Sequence, residues 1–175
     1  MIEGNGRGPR WIRALILVAM ALPMASGHAE PEGGTSGSAA PEPRPPQGRQ
    51  PLDFEDVVAG AAVSVSRLDV RRAGQFKLFG RADQEVLLTF SLPSGLAGPG
   101  GALLPIGFAE DDGGFTTEHR PDQAVGFDPQ VPYLARLSRS GHAYVYLGGT
   151  VRPHLGQRAG AYQGTVTLTV AYTAN

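Results

Sequence analysis

The segment from Tyr162 to Thr173 alternates strictly between two kinds of residue, and this period of two constrains the fold more than any other feature. One set contains Tyr162, Gly164 and then Val, Leu, Val and Tyr; the other set is mostly Thr. Because successive side chains of a β-strand point to opposite faces, the pattern predicts a strand with one packed face. Residues 86–92 alternate in the same way, and no segment after residue 29 keeps a helical period for three turns.

The other apolar segments also have the length and spacing of strands. They lie at 52–58, 61–70, 75–80, 103–109, 131–138 and 142–152. About eight short strands between turn clusters predict an all-β domain, an immunoglobulin-like antiparallel β-sandwich, with a small antiparallel barrel as the alternative. A change of phase in the second segment suggests a bulge near Ser66–Arg67. The sequence GQRAG at 156–160 is expected to form a hairpin turn into the last strand.

Residues 1–29 have the order of a secretory signal peptide. Three arginines precede a 12-residue uncharged and almost wholly apolar run, Ala14–Ala25, and small residues follow up to Ala29. Cleavage is predicted after Ala29, with Gly27 as the alternative. Because about 20 apolar residues are needed to span a bilayer, an uncleaved membrane anchor is less favoured, and no membrane span is expected in the mature chain. We therefore expect export to the periplasm, the cell surface or the medium.

Residues 30–51 are predicted to form a flexible linker before the domain at 52–175. Before Pro51 the segment has no large apolar side chain, so it cannot bury enough surface to offset the entropy of ordering. It is either a spacer that holds the domain away from a surface or a tail without a role. Polymerisation by strand donation is disfavoured, because a donor arm needs alternating apolar residues.

Composition excludes several classes of function. The chain has no Cys, so disulfides, thiolate zinc sites and cysteine nucleophiles are excluded. Its formal net charge is −1, which argues against nucleic-acid binding, since that requires a basic surface. His119, His142 and His154 remain after cleavage, but none has metal-site spacing and no G-x-S-x-G motif is present. We expect neither enzymatic activity nor a cofactor.

An acidic cluster opens the stretch 109–130, which has no predicted strand. Glu110, Asp111 and Asp112 form the cluster, and Asp122 follows within the same stretch. These four carboxylates are candidate calcium ligands, since Ca²⁺ prefers several oxygen donors. The spacing lacks D-x-D-x-D-G, so a solvated acidic loop is the favoured interpretation.

The stretch 109–130 is also the candidate binding loop, because loops longer than about 15 residues are commonly functional or disordered. Phe115, Phe127 and the nearby Tyr133 form a weak candidate for an aromatic platform that binds a sugar. If this loop is a separate binding element, deletion of 111–130 should leave the fold intact.

The C-terminal segment from Leu147 contains G-G-T, a variable turn, G-x-Y-x-G-T and then the alternating strand. The positions that carry this pattern are Gly148, Gly149, Thr150, Gly160, Tyr162, Gly164, Thr165, Val166, Thr169, Val170 and Tyr172. The pattern resembles the end of a family of exported bacterial proteins known only as domain of unknown function four-four-zero-two. Leu52–Phe54, 73–80 and 89–96 resemble its opening and central strands. The chain departs from the family at Glu55, where Gly is usual, and in its ending YTAN, where YN is usual.

The resemblance implies a pilin-like or immunoglobulin-like sandwich on a bacterial surface, without a known activity. The glycines have a physical interpretation of their own, since Gly inside a strand allows close approach of a backbone or a ring. We expect Tyr144, Tyr146 and Tyr162 to pack over the gaps at Gly148–Gly149 and Gly164.

The function expected from the sequence is therefore an exported structural or adhesive β-sandwich module without catalytic activity. Its expected partners are another surface protein or a glycan. The alternative is a module that binds a glycan or a small ligand through the 109–130 loop.

Overall fold

Fourteen β-strands and two short 3-10 turns make up the regular structure of the residues described. The computed structural model describes residues 11–21 and 44–173; the predicted cleavage positions after Gly27 and Ala29, and residues 30–43 of the predicted linker, lie outside them. The strands are β1 (Trp11–Ala21), β2 (Gln47–Gln50), β3 (Leu52–Val58), β4 (Val63–Val65), β5 (Gly74–Phe79), β6 (Glu85–Ser91), β7 (Gly95–Ala97), β8 (Leu103–Gly107), β9 (Gly113–Thr116), β10 (Val125–Phe127), β11 (Tyr133–Arg136), β12 (His142–Leu147), β13 (Gly149–Val151) and β14 (Gly160–Tyr172). The turns are Pro99–Gly101 and Pro121–Gln123.

The strands form two sheets that pack against each other, which confirms the all-β sandwich prediction. The five-stranded sheet has the order β10-β9-β12-β5-β2. The nine-stranded sheet has the order β11-β6-β14-β7-β8-β13-β4, and β1 pairs with β14 and carries β3 on its other side. This sheet curves until it is nearly barrel-shaped, so it also has the character of the small-barrel alternative. Strands β1, β2, β7, β9 and β10 were not predicted, and the predicted segment 142–152 divides into β12 and β13, so the number exceeds the expected eight.

Alternating residues of the long strands form the core between the sheets. In β14, Val166, Leu168 and Val170 are buried, and in β5 the buried residues are Phe76 and Leu78. The last strand therefore has the packed face that its period of two predicted. Together with buried residues from β3, β6, β8 and β12, these side chains form one continuous apolar cluster.

The predicted strand 61–70 is mostly a turn. Only Val63–Val65 is extended, and the carboxylate of Asp69 then accepts hydrogen bonds from the backbone N–H groups of Arg71 (3.0 Å) and Arg72 (3.2 Å). It also accepts a bond from Arg72 Nε at 2.7 Å, and these hydrogen bonds lower the pKa of Asp69. The predicted bulge near Ser66–Arg67 is wrong, since the change of phase marks the start of this turn.

The predicted C-terminal hairpin is also wrong. Strand β13 pairs with β4 and β8, whereas β14 pairs with β6, β7 and β1. The intervening segment is held by Gln157, whose Nε2 donates hydrogen bonds to the carbonyl of Leu103 (3.1 Å) and the hydroxyl of Tyr162 (2.7 Å). These contacts direct the chain away from β13, so β14 joins different strands.

The ordered domain begins before Leu52, so part of the predicted flexible linker is a strand. Gln47–Gln50 pairs antiparallel with β5, and Gln50 Nε2 donates a hydrogen bond to the carbonyl of Ala73 at 2.8 Å. An edge strand is held by main-chain hydrogen bonds, which do not require apolar side chains. The lack of apolar side chains was therefore not a reliable sign that this segment is unstructured.

Strand β1 lies between β3 and β14 and overlaps the apolar run of the predicted signal peptide. It runs antiparallel to β3 and parallel to β14, and this is the only parallel pairing among the strands described. The described part of the chain contains no helix with the length and apolar character needed to cross a membrane.

Candidate functional site

The stretch 109–130 is folded rather than structureless. It contains β9, the turn Pro121–Gln123 and β10, and β9 lies between β10 and β12 in the five-stranded sheet. Asp112 holds the start of this stretch in place. Its Oδ2 accepts a hydrogen bond from the N–H of Ala109 at 2.7 Å, and its carbonyl accepts one from the N–H of Gly148 at 2.8 Å. The stretch is therefore not a separate loop, and deletion of 111–130, which would remove β9 and β10, should disrupt the five-stranded sheet.

The four calcium candidates are not gathered into one site. Glu110 and Asp111 are exposed, and Asp122 pairs with Arg120 at 3.2 Å. Asp112 is half-buried and bonded to the backbone, and burial raises its pKa. Within residues 11–21 and 44–173, no three His, Asp or Glu side chains converge in a way that would hold a metal ion.

The glycines of the family-like pattern are places of close approach, but their neighbours differ from those expected. A Cβ at Gly148 would lie 2.5 Å from the carbonyl oxygen of Val65, and a Cβ at Gly164 would lie 2.6 Å from the side chain of Leu96. At Gly149 the nearest atoms belong to the ring of Phe108. The expectation that tyrosines cover these glycines is therefore wrong, although the glycines do allow tight packing.

Tyr162 instead packs over a glycine that the sequence did not single out. A Cβ at Gly98 would lie 2.3–2.7 Å from atoms of the Tyr162 ring. The Tyr162 hydroxyl accepts a bond from Gln157 Nε2 at 2.7 Å and donates to the carbonyl of Arg158 at 2.8 Å. This residue is a structural anchor.

The remaining residues of the pattern also have structural positions. Thr150 Oγ1 is 2.8 Å from Ser64 Oγ, Gly160 opens β14 with a φ of 139°, and Tyr172 donates its hydroxyl to the carbonyl of Phe79 at 2.7 Å. Of the other four, Thr165 is exposed, Thr169 is half-buried, and Val166 and Val170 are buried. The pattern is thus spread along β13 and β14.

The proposed sugar platform of Phe115, Phe127 and Tyr133 is wrong. Phe115 and Phe127 are buried in the core, and the rings of Phe127 and Tyr133 stack with centroids 4.2 Å apart. Their faces are occupied by each other and by Phe90, so they are not available to a sugar.

A different aromatic cluster lies on the outer face of the five-stranded sheet. We call it the outer-face cluster, and its members are Lys77, Phe79, His119, His142 and Tyr144. Lys77 Nζ is 5.0 Å from the centroid of the Phe79 ring and 5.7 Å from that of the Tyr144 ring. The His119 ring lies 4.8 Å from Tyr144, and the His142 ring 5.4 Å from Phe79. The cluster therefore combines apolar ring faces with one cation and two imidazoles.

Strand pairing brings the outer-face cluster together. In the register of β5 and β12, Tyr144 is opposite Lys77 and His142 is opposite Phe79. Directly paired residues point to the same side of a sheet, and alternate residues return to that side. His119 joins them from the loop that follows β9. The period of two in β5 and β12 was visible in the sequence, but the pairing of these two strands was not.

Arg67 lies across two glycines at one end of the same face. A Cβ at Gly114 would lie 3.0 Å from Arg67 Cδ, and a Cβ at Gly126 would lie 2.7 Å from its Nη2. Because Gly has no side chain, the arginine can lie flat on β9 and β10. Its Nε is buried and has no hydrogen-bond partner within the described part of the chain.

Next to Arg67 is an open cleft of about 370 Å³. Asp111, Asp112, Ser64 and Thr150 contribute to its lining. Arg67 thus lines the cleft together with two aspartates, so the cleft suits a small polar ligand with both donors and acceptors. From the sequence, Arg67 is expected at a solvated strand edge; its position over the glycines depends on the turn after β4, which was not predicted.

In the described part of the chain, none of the three histidines belongs to a group of three or more side chains that could hold a metal ion. His119 and His154 are exposed, and His142 begins β12, where its Nδ1 is 3.3 Å from Ser140 Oγ.

Compared with known proteins, the chain matches no protein-family model, and no curated protein matches it at a significant level. The family resemblance in the sequence therefore stays a prediction.

Proposed function

We propose that the protein is an exported bacterial surface module with an adhesive role, and that the outer-face cluster is its adhesive surface. Export is supported by the order of basic, apolar and small residues in the first 29 positions. A role at a surface is supported by the sandwich fold, which presents a broad sheet face. The observation that carries the adhesive role is the cluster of Lys77, Phe79, Tyr144 and two histidines on that face.

The chemistry of the cluster fits a glycan. Partly exposed rings offer an apolar surface to the C–H faces of a sugar, and the ammonium and imidazole groups donate hydrogen bonds to its hydroxyls. Lys77 also favours sugars that carry a carboxylate or sulfate, because it is the cation placed between two rings. We therefore favour acidic glycans as the ligand class.

The experiment is a glycan-array screen of the full chain, followed by titration of the best ligand with variants. Tyr144→Ala should weaken binding about tenfold, since loss of an aromatic stack costs roughly 1–1.5 kcal/mol. Leu134→Ala is the matched control, because Leu134 is 59% exposed on β11 of the other sheet. Equal binding by both variants would exclude the outer-face cluster as the adhesive surface.

Export is tested separately by fractionation of the producing cells. The protein should be found outside the cytoplasm with its N-terminus beyond residue 27, as determined by mass spectrometry. Recovery of the intact N-terminus in the cytoplasm would contradict the proposed location whatever the glycan result.

A second candidate is small-ligand binding in the cleft beside Arg67, which uses the first residues of the 109–130 stretch. It is favoured by the lining of this cleft, which combines Arg67 with the carboxylates of Asp111 and Asp112. A thermal-shift screen with amino acids as zwitterionic probes tests it. A ligand that stabilises the wild type but not Arg67→Met would support this candidate; no stabilisation by any probe would count against it.

A further inference from the structure

The position of β1 in the nine-stranded sheet has a consequence for the exported protein. It pairs with β14 over ten residues, from Ile12 opposite Gly160 to Ala21 opposite Thr169, and with β3 from Trp11 opposite Val58 to Ile16 opposite Leu52. Strands β3 and β14 do not pair with each other, and β1 is the only strand partner of β3 among the residues described. The sheet is therefore continuous here only through β1.

Removal of residues 1–29 would remove β1 completely. Neighbouring strands lie about 4.8 Å apart, so β3 and β14 would be separated by about 10 Å, too far for direct hydrogen bonds. The edges of both strands would then present unpaired N–H and C=O groups. Beneath the gap lie buried side chains of both strands, including Leu52, Phe54 and Val166. The result is a groove with main-chain hydrogen-bonding edges and an apolar floor.

We propose that this groove, here called the β3–β14 groove, accepts an extended apolar strand of another exported protein, which takes the place of β1. The inference rests on the proposed function, because it requires export and removal of the signal peptide. Strand addition of this kind combines main-chain hydrogen bonds with the fit of alternate side chains.

We assign the occupant to another protein because residues 30–175 contain no suitable spare segment. Residues 30–50 contain no large apolar side chain, and the later apolar segments already form strands of the sandwich. A second copy has the same composition and therefore cannot supply the strand either. The chain is thus an acceptor of a strand without being a donor, which fits a single module better than a repeating fibre subunit.

The contacts that β1 makes in the sheet define the sequence that an occupant of the β3–β14 groove needs. It must run parallel to β14. Opposite Glu55 it must have a small residue, because Ala14, which occupies that position in β1, is only 1% exposed. A basic residue near its N-terminal end suits the rim, where Arg13 pairs with Asp56 at 3.4 Å and Asp53 and Glu55 line the same cleft. About eight uncharged, mainly apolar residues must follow, as in Ala14–Ala21 of β1.

The test uses the protein exported and processed by producing cells, with a synthetic peptide of residues Trp11–Ala21 that carries a C-terminal lysine tag. Trp11 is the only tryptophan of the chain, so its fluorescence anisotropy reports the peptide alone. We expect saturable binding and a melting temperature raised by several degrees at saturation. An Ala14→Asp peptide should bind more than about a hundredfold more weakly, because it places an unpaired carboxylate in the apolar groove.

An Arg13→Gln peptide is the matched control. The Arg13 and Asp56 side chains are 83% and 52% exposed, so their ion pair contributes little and affinity should change by less than about threefold. If the processed chain does not stay folded alone, its refolding yield with each of the three peptides gives the same comparison.

The outcomes separate this inference from the proposed function. If the protein is exported and processed but the wild-type and Ala14→Asp peptides behave alike, the groove does not accept a strand, while the adhesive function stands. If the exported protein retains residues 11–21, β1 is the domain's own strand and the inference is overturned. If the protein is not exported at all, the proposed location fails first.

Discussion

Two tyrosine-to-phenylalanine substitutions should differ in their effect on the stability of this protein: one should lower it and the other should not. Tyr162 is fully buried, and its hydroxyl makes hydrogen bonds of 2.7 Å with Gln157 Nε2 and 2.8 Å with the carbonyl of Arg158. Tyr162→Phe keeps the ring and removes both bonds. A buried neutral hydrogen bond contributes about 0.5–1.5 kcal/mol, so the free energy of unfolding should fall by about 1–3 kcal/mol.

Tyr146 provides the matched comparison. It is 1% exposed, and its hydroxyl has no hydrogen-bond partner in the described residues. Burial also raises its pKa, because the charged phenolate is poorly solvated there. Tyr146→Phe removes a desolvated hydroxyl that returns no hydrogen bond, so the free energy of unfolding should be unchanged or rise by about 1 kcal/mol.

Urea unfolding of the full chain measures both effects. The m-value should stay constant while the midpoint falls for Tyr162→Phe and does not fall for Tyr146→Phe. In a chain of this size, each kcal/mol corresponds to about 2–4 °C in melting temperature. Equal losses in the two variants would refute the reasoning, since the effect would then follow from removal of any hydroxyl rather than from its hydrogen bonds.

Three further predictions concern backbone geometry and pH. Gly98→Ala should cost about 1–3 kcal/mol in urea unfolding, because its Cβ would overlap the Tyr162 ring, whereas Gly156→Ala, with open space around the Cβ, should be nearly neutral. Glu55 has a φ of 54°, so Glu55→Gly should raise the unfolding free energy by about 0.5–1 kcal/mol, and a loss of stability would show that no strain is present. Burial raises the pKa of Asp112, so the folded state binds the proton more tightly; this group's contribution to stability is present at low pH and is lost as pH rises through the folded pKa. The melting temperature of Asp112→Asn relative to the wild type should therefore increase with pH, measured between pH 4 and 8 at about 0.1 M ionic strength. A difference that does not change with pH would contradict this prediction.

The backbone conformation of Glu55 explains why Gly would be suited to this position. The resemblance seen in the sequence predicts Gly at this position, where the chain has Glu. In β3 the backbone at this residue has a positive φ, and the pairing with β1 shifts next to it, since Phe54 has no opposite residue. Glycine adopts this conformation without steric cost, whereas glutamate does not.

In the outer-face cluster, the side-chain directions within one strand can be predicted from the sequence, whereas the contacts between strands cannot. The strand predicted at 142–152 contains β12, and Tyr144 shares a face with His142 there because alternate residues of a strand point to the same side. The approach of Lys77 and His119 to Tyr144 was not predictable, since it depends on which strands pair across long separations. The same reason explains the wrong sugar platform: Phe115 and Phe127 belong to strands that were not predicted, and their burial follows from those strands.

The sequence by itself determined the all-β class, the packed face of the last strand and the tight packing at its glycines. These properties follow from the period of two and from the absence of a Cβ, which act over a few residues. Only the tertiary structure decided that 109–130 forms strands, that β13 and β14 separate, and that β1 lies between β3 and β14. Those features depend on main-chain hydrogen bonds between distant segments, and such bonds are available to almost any residue and so leave little trace in the sequence.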